Sequence, residues 1–157
     1  MGFFGTFVYD RAGWKPHRPG QVPEQPAPWL TVDIYDSDFT TVGYSPVGRG
    51  SGVAYLGFTP RDYFEDPDAA PPTDVLREAA GLADWWAQHR NGATGSERAA
   101  KEHELAGYLA HDDGAIDPAD LSDETIGQFD DEDIFVEIKT ARFLSALDLP
   151  APDDLPG

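Results

Sequence analysis

Residues 29–45 read WLTVDIY DSD FTTVGYS. In the first seven, Leu30, Val32 and Ile34 alternate with Thr31, Asp33 and Tyr35, the period of a strand that buries one face and wets the other. Asp36, Ser37 and Asp38 carry short polar side chains that bond to nearby backbone, and Asp tolerates left-handed angles, so the triplet reads as a turn. Residues 39–45 then read as the antiparallel partner. This hairpin decides the fold, because it seeds an antiparallel sheet to which flanking segments add.

On its N-terminal side, residues 3–9 (FFGTFVY) read as another strand. Residues 10–28 hold Pro16, Pro19, Pro23, Pro26 and Pro28 and read as a loop of extended, polyproline-like backbone laid across the sheet. On the C-terminal side, Gly48-Arg49-Gly50-Ser51-Gly52 reads as a turn before a fourth strand over residues 53–58. Helical signals follow. Thr59-Pro60 is an N-cap with proline in the first turn. Thr73 caps a helix running to about His89, striped by Val75, Leu76, Ala79, Leu82, Ala83 and Trp86. Asn91 to Gly95 stop it, and a helix from Ser96 to about Ala110 pairs with it antiparallel. Asp117-Pro118 opens a further helix over 121–129. Residues 134–147 lack Gly and Pro and read as a helix, although Ile134-Phe135-Val136-Glu137-Ile138 also suits a strand.

The expected architecture is a single α+β domain. About four mostly antiparallel strands in residues 1–58, with the Pro-rich loop 10–28, pack against mainly helical residues 60–149, and 150–157 form a loose tail.

Charge narrows the function classes. Twenty-nine acids against eleven bases give a net −18, split as −1 over residues 1–60 and −17 over 61–157. Such a field repels phosphate backbones and anionic membranes and favours a basic protein partner, so neither nucleic acid nor membrane is expected to bind. The chain has no cysteine, which excludes disulfides, thiolate metal sites and a cysteine nucleophile. With no basic leader and no long apolar run, a cytoplasmic location is expected.

Ten acids and no base lie between residues 112 and 133: Asp112, Asp113, Asp117, Asp120, Asp123, Glu124, Asp130, Asp131, Glu132 and Asp133. This stretch reads either as a solvated face whose acids favour helix N-termini or as a docking surface for clustered Lys and Arg. Trp85, next to the stripe residue Trp86, falls at the margin of its helix stripe and is a candidate anchor for a partner. The Asp36-Ser37-Asp38 turn resembles the metal-binding Asp-x-Asp of nucleotide-sugar glycosyltransferases over three residues. The Gly48–Gly52 turn could cradle an anion through its amides, with Arg49 adding charge. His103 and His111, on one expected helix, could edge a common face. No metal or cofactor is assigned from these fragments, and no catalytic residue can be named.

In general profile (small, cysteine-free, acidic, α+β) the chain resembles bacterial immunity or inhibitor proteins that block a basic toxin or nuclease. That resemblance implies an acidic protein-binding module, more in keeping with a binder than an enzyme, and it carries no residue motif; the interface residues expected, those of 112–133 and Trp85, come from charge clustering and side-chain type alone. The alternative is a small-molecule-binding protein or small enzyme with a pocket between sheet and helices, lined by Tyr35, Tyr44, Tyr55, Asp33, Arg49 and His17. Partner identity, ligand, catalysis and oligomeric state are not encoded in any readable motif.

Overall fold

The computed structural model describes residues 4–10, 12–19, 21–111 and 136–152. Five strands, β1 (Gly5–Asp10), β2 (Gly13–Pro16), β3 (Trp29–Tyr35), β4 (Phe39–Ser45) and β5 (Val53–Gly57), form one antiparallel sheet in the order β2-β1-β3-β4-β5. Helices α1 (Pro60–Tyr63), α2 (Val75–His89), α3 (Gly95–Ala106) and α4 (Val136–Ala146) follow. The fold is α+β, with strands first and helices after.

The central hairpin forms as its pattern dictates. Leu30, Val32 and Ile34 are fully buried, and Tyr35 pairs with Phe39 across the turn. The Asp38 amide donates to the Tyr35 carbonyl, while Asp36 and Ser37 both hold positive φ, the geometry of a type I′ turn that matches strand twist.

The fifth strand is a departure from expectation. Residues 13–16 lie inside what reads as a proline loop, yet the Asp10 side chain accepts the Ala12 amide at 2.7 Å and Gly13 takes φ 107°, closing a tight hairpin. Trp14 then packs on Tyr9 with ring centroids 5.2 Å apart, and its indole N–H donates to the Pro150 carbonyl. The remaining described residues of the loop are irregular, with Pro23 and Pro28 buried.

Register places Phe7, Val32, Val42 and Ala54 in one row of neighbours, and Leu30 with Tyr44 in the next. This face meets the helices in a single core including Leu82, Trp85, Trp86, Leu105, Phe143 and Leu144. Helix starts follow local chemistry. Thr59 caps α1, whose first residue is Pro60. Asp74, one residue beyond the expected Thr73, caps α2, and Thr94 forms a capping box with Glu97 ahead of α3. That helix is shorter than expected, ending at Ala106; the chain turns at Gly107 so that the Ala110 amide reaches the Tyr55 carbonyl of β5. Residues 136–146 are helical, and Thr140 on α4 meets Thr40 on β4 in a buried 2.7 Å hydrogen bond. The helix expected at 121–129 lies outside the described residues.

Candidate functional site

The Gly-rich turn after β4 folds onto α2 and is held by two carboxylates of that helix. Tyr44 donates its hydroxyl to Glu78 Oε1 at 2.6 Å, and the Ser51 amide donates to both Glu78 oxygens at 3.0 and 3.2 Å. Asp84 accepts the Arg49 amide at 3.0 Å, Arg49 Nε at 3.0 Å and Nη2 at 2.9 Å, and Arg98 Nη1 at 2.9 Å. Arg49 also pairs with Glu102 of α3. Gly81, three residues from each carboxylate, lets the two backbones touch, since a Cβ there would fall 2.6 Å from the Gly50 amide nitrogen and Cα.

Burial alone would raise the Asp84 carboxyl, but Arg49 and Arg98 outweigh it and hold it below its ordinary value. Hydrogen bonding to Asp84 pushes the Arg49 guanidinium up, and burial, then Glu78, pushes the Tyr44 phenol up. The turn is thus an anion cradle, as its composition allows, but its anions are the protein's own Glu78 and Asp84.

This network also explains why the pocket residues expected from sequence do not converge. Tyr44 lies on the helix-facing side of the sheet and Arg49 is bound to α2. Register puts Asp33 and Tyr35 on the opposite face, where Asp33 accepts the Thr6 hydroxyl at 2.9 Å and Tyr35 joins a cluster of rings at the hairpin end. Tyr55 borders a cavity of about 420 Å³ between β5 and the start of α2, with Pro71, Pro72, Val75, Arg77 and Leu109. His17 lines a separate polar cavity with Lys15, Gln21 and Glu24. Glu78 and Asp84 were not expected from sequence as organising groups, although a glycine midway between two acids in a helix was the available signal.

Trp85 is fully buried, not marginal: its indole N–H donates to the Trp29 and Ser45 carbonyls, and its ring stacks on His89. The anchor role expected of it does not fit that position. Trp86 is also buried, with Arg90 and Lys101 over its ring. Asp112, Asp113, Asp117, Asp120, Asp123, Glu124, Asp130, Asp131, Glu132 and Asp133 all lie outside the described residues. The bases Lys15, Arg49, Arg90, Arg98 and Lys101 are each ion-paired, to Asp10, Asp84 and Glu102, Glu97, Asp84, and Glu104 respectively.

Among the described residues no cluster of three or more His, Asp or Glu side chains could hold a metal ion. In the Asp36-Ser37-Asp38 turn, Asp38 instead accepts the Tyr63 hydroxyl; burial, then that bond, pushes the phenol up to about 12. His103 lies on α3 and His111 beyond its end, so the common helical face expected for them does not form. No described helix is long and apolar enough to cross a membrane. Compared with protein-family models, curated proteins and solved structures, the chain matches none.

Proposed function

We propose that the protein is an acidic binding module that captures a basic protein partner by electrostatic steering, in the manner of an immunity or inhibitor protein. One observation carries the reading: ten acids without a base fall between residues 112 and 133, while five bases of the described chain are engaged by carboxylates elsewhere. The formal net charge of the whole sequence is −18, and a field of one sign speeds encounter with the opposite sign and rejects like-charged surfaces.

The test is capture by the immobilised full chain from native lysate at graded salt, beside a variant carrying Asp130→Lys, Asp131→Lys, Glu132→Lys and Asp133→Lys. A basic protein should be retained at low salt, released as salt rises, and missed by the variant. Retention of nothing at any ionic strength, or equal retention by both proteins, overturns the proposal.

A second reading rests on the cavity of about 420 Å³ beside Tyr55, a volume within the range of small-molecule sites, about 300–1,000 Å³. Ligand linkage would then raise the melting temperature in the presence of a cognate metabolite. No shift across a broad metabolite panel removes this reading.

A further inference from the structure

The far end of the central hairpin carries a cluster of rings separate from the main core. Tyr35 lies 5.2 Å from Phe4, 5.4 Å from Phe39, 5.6 Å from Tyr63 and 6.2 Å from Phe64, centroid to centroid. Phe39 is buried beneath, but Phe4, Phe64 and Tyr35 are 54%, 52% and 41% exposed. These rings come from β3, β4, α1 and the residues flanking β1 and α1, so the platform is assembled by the fold and not by one flexible segment. Part of the cluster is structural, since it fastens α1 to the hairpin. Three large rings left open to solvent exceed that need, because a fastening is strongest when its apolar surface is covered.

Charge identifies what covers them. Residues 33–38 and 61–68 contribute Asp33, Asp36, Asp38, Asp62, Glu65, Asp66 and Asp68, against the single base Arg61. Arg61 directs its Nε to the Pro67 carbonyl at 3.1 Å. Among the described residues, the cation–π contacts are those of Arg90 and Lys101 with Trp86, on a different helix face. Aromatic faces carry negative potential, and neighbouring carboxylates deepen it. A flat guanidinium can stack on a ring while its N–H groups reach carboxylates, which a lysine ammonium does less well. Anionic lipid would be repelled.

We propose that Phe4, Tyr35 and Phe64, with the acid-rich residues 33–38 and 61–68 that adjoin two of them in sequence, form a docking platform for arginine side chains of a basic protein partner. This deepens the proposed function and rests on it, by giving the captured protein a structured contact besides the general field.

The test uses the full chain with fluorescein-labelled octa-arginine and octa-lysine peptides at matched low salt, read by anisotropy and by aromatic ring resonances. Octa-arginine should bind more tightly and shift the Phe4, Tyr35 and Phe64 ring signals. Phe64→Leu and Phe4→Leu, which keep apolar volume but remove a ring, should each weaken octa-arginine about threefold to tenfold, with octa-lysine less affected. Either variant suffices if the other fails to fold by circular dichroism, and the ring shifts need no variant. If both peptides bind but ring signals stay put and neither variant weakens arginine binding, the platform is refuted while the electrostatic module survives. If neither peptide binds the unmodified protein, the platform fails together with the module.

Discussion

Gly81→Ala should destabilise this protein even though alanine is the better helix former. In an open helix the change would stabilise by about 1 kcal/mol. Here the added Cβ would sit 2.6 Å from the backbone of Gly50 and closer still to the Tyr44 hydroxyl. Gly50 is backbone and cannot swing aside, so the turn must lift from α2. Lifting it breaks the Tyr44 and Ser51 hydrogen bonds to Glu78, which is 7% exposed and would be left buried with fewer partners. Bonds to a charged group contribute about 1.5–3 kcal/mol each, so with two broken and the helix-propensity gain set against them the net loss is about 2–5 kcal/mol. Urea unfolding should register this loss directly, and thermal unfolding as a melting temperature lower by roughly 4–20 °C. Gly95→Ala, at the first residue of α3 where a Cβ meets nothing within 4 Å, serves as the control and should leave stability unchanged or raise it by up to about 1 kcal/mol. In a Tyr44→Phe background, which removes one obstructing atom, Gly81→Ala should cost less than in the native chain. A stabilising Gly81→Ala would refute the tight loop-to-helix contact.

Two other perturbations probe the same frame. Asp84 has a depressed folded-state pKa, so its contribution is present above the unfolded value of about 4 and is lost as pH falls through the lower folded value. Melting temperature against pH should accordingly fall less steeply below about pH 4 in Asp84→Asn than in the native chain, and superimposable slopes would contradict the assignment. In the buried threonine pair, Thr140 already donates to the Val136 carbonyl, so the Thr40 hydroxyl must donate to Thr140. Thr140→Val strands that donor and should cost about 1–3 kcal/mol, whereas Thr40→Val loses one bond and should cost about 1 kcal/mol. The opposite order in denaturant unfolding would overturn the bond directions.

Local rules carried the fold as far as they are local. Alternation at Leu30, Val32 and Ile34, the cap at Thr59-Pro60 and the absence of breakers through residues 136–146 each specify an element without reference to distant residues. The short β2 escaped notice because prolines flank it, while its cause, a side-chain bond from Asp10 and a left-handed Gly13, spans only four residues. Sites are another matter. The fate of Arg49 depended on Asp84, 35 residues away, and Tyr35 and Tyr44 belong to opposite faces because strand positions nine apart in sequence carry opposite parity once register is set. Trp85 looked marginal on a helix viewed alone; the Trp29 and Ser45 carbonyls that accept its indole N–H come from the sheet. The platform at Phe4, Tyr35 and Phe64 gathers three segments, each unremarkable alone.

If the protein is an electrostatic binding module, attraction between opposite charges drives its association. The direct measurement is titration calorimetry of the full chain with the basic protein recovered by capture, across a series of salt concentrations. The dissociation constant should climb steadily with salt and rise sharply when Asp130, Asp131, Glu132 and Asp133 are reversed to lysine. An affinity indifferent to both salt and charge reversal would contradict the electrostatic reading.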